Sequence, residues 1–404
     1  MKKRILKVFL FIISVSLITF GTHKLVNYVI NYKELERIQN ELTERENEFE
    51  ASMEAYEKSL EEEKSELAQN ISEVEEKLDN LDSTIKELPI TGVGDSIMLG
   101  ALYNLQKQFP KGHFDAKVSR SIWVADGILK EYKSSNQLGN PVVINLGANG
   151  DCTLQCKLNI INTCADREIF WLTVTNDKNV QVNAKLKDLA TKYENFHVID
   201  WEKISSSHKE YFYADGIHLD IKGRTAYTQA IYDNIKETYQ KKYAQEIEKL
   251  KKEYLERQRN KIGFYGDETL FYAFANIRDT FSDSIFHVTK RYDYNSLKED
   301  VEKALEQDTL SNRIVLSFDD LNTQYEKVFD LLGEREIYVL TLTEKTSSTL
   351  NRLNRENIHE IKIYKEIEAN PDYLLKDGKH LSKSGNEALV NTIKKTIEKE
   401  ELEE

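Results

Sequence analysis

One stretch of this chain is written twice, and that constrains the fold more than any other feature. Residues 90–99 contain Gly94-Asp95-Ser96 after a short apolar run, and residues 261–270 repeat the pattern with Gly266-Asp267-Glu268. The echo continues: residues 314–320 follow the pattern of 143–149, and residues 337–343 that of 169–175. Asp377-Gly-Lys-His380-Leu likewise matches Asp215-Gly-Ile-His218-Leu. Repetition on this scale means two domains of one fold in tandem. Within the first copy, β-type runs at 90–93, 114–118, 141–146, 169–175 and 197–201 alternate with helical patterns. That alternation predicts an α/β domain with a mainly parallel five-stranded, flavodoxin-like sheet. Functional loops in such a domain open at the carboxyl ends of the strands.

The first 88 residues are of another kind. Lys2, Lys3, Arg4 and Lys7 precede an uncharged run from Val8 to Thr22. With no small-residue cleavage site after it, residues 1–32 read as a basic cytoplasmic tip and an uncleaved transmembrane signal anchor, the remainder of the chain being extracellular. From 33 to 88 the sequence is rich in Glu, Lys and Leu, with apolar residues at steps of three and four and no Gly or Pro. This predicts a long helix, and its seam reads as a coiled-coil stalk able to form a homodimer. Two eleven-residue intervals, Leu42 to Met53 and Leu60 to Ile71, interrupt the heptads; a helix lying on its own domain is the competing reading. The expected division is then anchor 1–32, stalk 33–88, first domain 89–240, helical connector 241–260 and second domain 261–400. A net charge of −13 argues against nucleic acid as a partner.

Ser96 falls where a strand gives way to a helix, so helix N-terminal N–H groups converge on it. Gly-Asp-Ser by itself also makes ordinary turns and N-caps. Two further segments give it a chemical setting. Asp215 stands three residues before His218, a spacing that lets the carboxylate orient the imidazole while the other ring nitrogen takes a proton from a serine. Asn149, in Gly147-Ala148-Asn149, offers a neutral N–H to an oxyanion. The other histidines, His113, His197, His208, His287 and His359, have no catalytic partner in sequence and read as structural. Trp123, Trp171 and Tyr213 read as core aromatics before sugar-stacking ones. Cys152, Cys156 and Cys164 match no familiar metal or disulfide pattern and read as buried thiols, with one bridge plus a free thiol as the alternative.

Together, Gly94-Asp95-Ser96-Ile97-Met98-Leu99-Gly100, Gly147-x-Asn149 and Asp215-Gly-Ile-His218-Leu resemble three conserved blocks of the SGNH (GDSL-type) hydrolases. The wording is closest to the extracellular domain of peptidoglycan O-acetyltransferases, and the resemblance covers about 150 residues of the chain. It implies Ser96 as nucleophile, His218 as base, Asp215 as its support and Asn149 as oxyanion donor, with no cofactor and no metal. Where the family has a block II glycine, Ser119 stands, leaving a backbone N–H for the same role.

In the second copy Glu268 replaces the serine and Asp320 the asparagine, while Asp377 and His380 persist. A carboxylate at the oxyanion position opposes developing negative charge, so this copy reads as a degenerate, non-catalytic repeat. An Asp/Glu/His metal cluster is the competing reading. The resulting expectation is a membrane-anchored serine O-acyltransferase that places acetyl groups on a cell-wall glycan such as peptidoglycan. With one span at most, it would draw on a separate multi-span membrane acyltransferase as donor. An esterase using the same residues, and a surface assembly protein with incidental activity, are the alternatives.

Overall fold

In the computed structural model the backbone is described for residues 2–175, 181–318 and 323–403, and side chains for residues 30–175, 181–318 and 324–399. The chain forms two compact units, one of residues Gln69–Leu250 and one of Met1–Ala68 with Lys251–Glu404. Both divisions fall inside long helices, Lys2–Asp79 and Ile221–Asn260.

The first unit is built on strands β1 (Thr91–Gly94), β2 (His113–Ala116), β3 (Val142–Asn145), β4 (Ile169–Leu172) and β5 (Phe196–Ile199). They pair in parallel in the order β2-β1-β3-β4-β5. Side-chain alternation sends Val143, Phe170 and Leu172 into one core and Ile144, Ile169 and Trp171 into the other. Both faces are covered by helices, so the strands read as continuous apolar runs. The second unit holds β6 (Ile262–Gly266), β7 (Ser284–Val288), β8 (Arg313–Ser317), β9 (Glu336–Leu340) and β10 (Ile358–Ile361). Its order, β10-β9-β8-β6-β7 and again parallel, is the first sheet's order read from the other edge. The repeat extends to detail. A Cβ at Gly223 would sit 1.9 Å from the Tyr211 carbonyl oxygen, and one at Gly385 would sit 2.1 Å from that of Tyr373. Only glycine lets the last helix of each unit approach its preceding loop that closely.

The helix of residues 33–79 departs from the stalk expectation. Its apolar stripe is spent on the chain's own units. In the second unit Phe49, Met53, Tyr56 and Leu60 pack on the Phe264–Phe274–Phe286 core. The Phe49 and Phe271 rings stack at 3.9 Å, and the Tyr56 hydroxyl accepts a hydrogen bond from the Phe286 N–H at 3.1 Å. In the first unit Ile71, Val74 and Leu78, with Leu81 and Ile85 of the following short helix, pack against Tyr239, Tyr243 and Ile247. A stripe with eleven-residue intervals suits a straight helix on a globular face better than a supercoiled seam. Most of the seam from Phe49 to Leu78 therefore packs within the chain, where a coiled-coil stalk able to form a homodimer had been expected.

Among the described residues no helix is long and apolar enough to cross a membrane. The anchor expected at 1–32 falls almost wholly on residues whose side chains lie outside the described set.

Candidate active site

Strand β1 ends at Gly94 and the helix Ser96–Gly100 begins at once, capped by Asp95, whose side chain accepts from the Ile97 N–H at 2.9 Å. A Cβ on Gly94 would lie 2.3 Å from that of Met98, so glycine is what lets this helix start tight against the strand. Ser96 is left half-buried at the carboxyl edge of the sheet.

The loop after the 3-10 turn Lys209–Tyr211 brings the base to it. A bridge between Phe212 and Leu219 closes this loop, and the Tyr213 N–H donates to the His218 carbonyl at 2.8 Å. Asp215 Oδ1 accepts from the Ile217 and His218 N–H groups at 2.9 and 3.0 Å, leaving Oδ2 2.8 Å from His218 Nδ1. His218 Nε2 stands 3.1 Å from Ser96 Oγ. A carboxylate can only accept, so Nδ1 carries the proton toward Asp215 and Nε2 is free to accept from the serine. The Ile217 N–H foremost, then His218, hold the Asp215 carboxyl down at about 2, keeping it ionised.

The oxyanion side is built from two loops. Asn149 Nδ2 donates to Asp95 Oδ2 at 3.2 Å and to the Arg120 carbonyl at 3.4 Å. Asp95 is fully buried, and burial pushes its carboxyl up to about 6. Ser119 has φ +56°, in the left-handed region that a glycine enters freely and a serine does not. The neighbouring Arg120 supplies what holds it there. Its guanidinium, almost wholly buried, donates to the Asp115 carbonyl, to Asp115 Oδ1 at 2.6 Å and to the Gly94 carbonyl at 3.4 Å. Arg120 thus ties the Ser119 loop to the ends of β1 and β2. Nothing in the sequence marks it, because an Asp–Arg pair five residues apart is commonplace and the Gly94 carbonyl is brought near only by the fold.

Ser96, His218, Asp215 and Asn149 therefore meet at one sheet edge, with Ser119 on the adjoining loop. Trp171 is a core residue, its indole N–H donating to the Leu146 carbonyl. Trp123 and Tyr213, expected in the core, are 57% and 51% exposed on loops that carry the site, because Ile122 and Leu219 fill the core beneath them. Cys152 and Cys156 form a disulfide where three buried thiols had been expected. The N-capped turn that starts helix Leu154–Cys164 brings their Cα atoms to 6.1 Å. Cys164 keeps a buried thiol, pushed up to about 12 by desolvation. His113, His197, His208, His287 and His359 each pair with a tyrosine or a carboxylate away from Ser96.

The second unit reproduces the frame with different chemistry. His380 Nδ1 lies 2.6 Å from Asp377 Oδ2, and His380 Nε2 lies 3.0 Å from Glu268 Oε1, where His218 meets a serine. Lys379 Nζ bonds the other Glu268 oxygen. Burial works to raise the Glu268 carboxyl, but Lys379 and His380 outweigh it and the net shift is downward. The two carboxylates occupy opposite ring nitrogens, so they cannot converge with that imidazole on one metal ion. Among the described residues no group of three or more His, Cys, Asp or Glu side chains has metal-site geometry. Asp320 lies outside the described residues.

No family model matches the chain. Over 155 residues it is 33% identical to the O-acetyltransferase OatA of Staphylococcus aureus strain NCTC 8325, a match spanning 38% of this chain and 26% of that protein. The OatA of strain MRSA252 matches to the same extent. The chain thus matches about a quarter of the length of these relatives. Among solved structures, the C-terminal catalytic domain of Streptococcus pneumoniae peptidoglycan O-acetyltransferase A, carrying a methylsulfonyl adduct, is similar at 22% identity. That likeness covers 38% of this chain and 94% of that one, with a TM-score of 0.35. Part of this chain, about 155 residues, is homologous to the OatA O-acetyltransferases.

Proposed function

We propose that the chain is a serine O-acyltransferase of the cell surface that moves an acetyl group onto a hydroxyl of a cell-wall glycan. The observation that carries this is the relay from Asp215 through His218 to Ser96, at 2.8 and 3.1 Å. Ser96 Oγ attacks the carbonyl carbon of an acyl donor while His218 Nε2 takes its proton. Negative charge on the former carbonyl oxygen is met by the Ser119 N–H and by Asn149 Nδ2, which gives up its 3.4 Å bond to the Arg120 carbonyl to do so. Collapse expels the donor's leaving group, which takes the proton from His218 and leaves an acyl-serine. A sugar hydroxyl, losing its proton to His218, then attacks the acyl carbon, and Ser96 departs with that proton.

Similarity to the OatA relatives supports acetyl as the acyl group and peptidoglycan as the acceptor. The Cys152–Cys156 disulfide supports an oxidising compartment outside the cytoplasm. The apolar run of residues 8–22 after a basic tip supports a membrane anchor. A separate membrane protein would supply the acetyl group. Hydrolysis is the second reading, because the His218 side chain is 48% exposed and water can reach an acyl-serine beside it.

The first test is turnover of a chromogenic acetyl ester together with labelling by a serine-reactive probe. Both are expected in the intact chain and lost in Ser96→Ala; their absence from the intact chain would overturn the reading. Adding wall oligosaccharide and weighing it then separates the two fates, since a transferase leaves one acetyl mass on the sugar and an esterase leaves none.

A further inference from the structure

At the carboxyl edge of the second sheet lies a pocket of about 280 Å³, walled by Glu268, Tyr272, Leu342, Thr343, Ile367 and Leu374. It lies where the second unit would hold substrate if Glu268 were a serine. Its size falls just below the roughly 300 Å³ at which small-molecule pockets begin, so it suits a single ring and not an extended ligand.

Among the described residues the charges around it are already matched. Glu268 spends one oxygen on His380 and the other on Lys379, and Asp377 is paired with the far side of His380. A cationic ligand would meet a carboxylate already neutralised, and an anionic ligand a lysine already engaged. Hydrogen-bonding capacity remains, because each carboxylate oxygen accepts more than one donor and the Thr343 hydroxyl, which caps the Thr346 N–H at 3.2 Å and bonds the Thr346 hydroxyl at 2.8 Å, keeps one position for a further partner. The rest of the wall is largely apolar, with Leu342, Ile367, Leu374 and the Tyr272 ring, which packs edge-on to His380 at 5.3 Å.

We propose that this pocket binds one neutral sugar ring, whose hydroxyls bond Glu268 and Thr343 while its C–H face lies on the apolar wall. A pyranose carries both surfaces without charge. The pocket is also braced in advance. Arg45 Nη1 donates to the Leu381 carbonyl at 2.6 Å, fixing the loop that presents His380, and the Tyr272 hydroxyl donates to Glu46 at 3.1 Å. Ligand binding therefore orders little that is not ordered already. With Glu268 in place of a nucleophile, the sugar is held and not acylated. The inference stands independently of acyl transfer at Ser96.

The experiment is saturation-transfer NMR and calorimetry on the full chain carrying Ser96→Ala, which separates this pocket from turnover in the first unit. The probes are glucose and N-acetylglucosamine, with glucosamine and glucuronate as charged controls. Saturable binding of a neutral sugar is expected, weakened by about tenfold or more, a 1.4 kcal/mol loss, both by Leu342→Trp, which fills the pocket, and by Glu268→Ala. Melting curves identify any variant that fails to fold, and the other variant then decides. No saturable binding of either neutral sugar, binding unaffected by both substitutions, or tighter binding of a charged control would each overturn the proposal.

Discussion

Asp95 and Asp215 flank Ser96 and titrate in opposite directions. Asp215 is depressed by donated hydrogen bonds, so its stabilising share is present above about pH 4 and is lost as pH falls toward 2. Asp95 is raised by burial, so its ionised form is a growing cost as pH climbs from about 4 to 6, and a constant one above that. The thermal-stability deficit of Asp215→Asn is therefore expected to shrink between pH 5 and pH 2. Asp95→Asn should gain on the parent chain between pH 4 and pH 7 by on the order of 3 kcal/mol. Denaturation across that pH range checks both, and parallel curves would contradict the assignment. Arg120 gives a third prediction. Arg120→Ala frees the Ser119 loop, so kcat for an acetyl ester should fall about 10- to 100-fold with KM little changed. Added guanidinium should restore part of the rate, whereas a loss of folding would not be rescued. The Asp215 role was legible in Asp-x-x-His, but the Asp95 and Arg120 effects were not, since Asp95 was one letter of Gly-Asp-Ser and Arg120 carried no signal. Their roles come from burial and from carbonyls contributed by other strands.

At the scale of elements, the helix preceding the first sheet was legible as a helix but not by destination. Its apolar spacing serves a partner helix or a globular face equally well, and covalent connectivity decided for the face. Tyr56 is nearly buried, meets the Phe286 ring edge-on at 5.2 Å and accepts the Phe286 N–H. Tyr56→Ala should cost about 3 to 5 kcal/mol in the unit that contains β6 to β10. Leu35→Ala, at a site 62% exposed, should cost almost nothing. Urea unfolding of the two variants tests this; equal small effects would return the helix to the role of a free stalk. The strands were read more securely. Ile169, Phe170, Trp171 and Leu172, for example, form a short apolar run that cannot be solvated on either face.

At the scale of the whole molecule, the chain carries one serine frame and one frame altered at the same position. Glu268→Ser in a Ser96→Ala background is expected to leave acetyl-ester turnover at background, because Asp320 remains at the sequence position that Asn149 holds in the first copy. Adding Asp320→Asn is the minimum change that could bring activity back, and activity from Glu268→Ser alone would overturn that view of the oxyanion position. By itself the sequence determined that there are two α/β copies, which runs form the strands of the first, and which residues, Ser96, His218, Asp215 and Asn149, come together at the candidate site. It could do so because strand runs and short catalytic turns are local, coded by neighbours in the chain. Only the tertiary structure decided that the long helix is spent on the chain's own domains, that Cys152 pairs with Cys156, and that Arg120 holds the Ser119 turn. Those outcomes depend on which distant surfaces meet, and a periodicity or a lone charged residue is compatible with several.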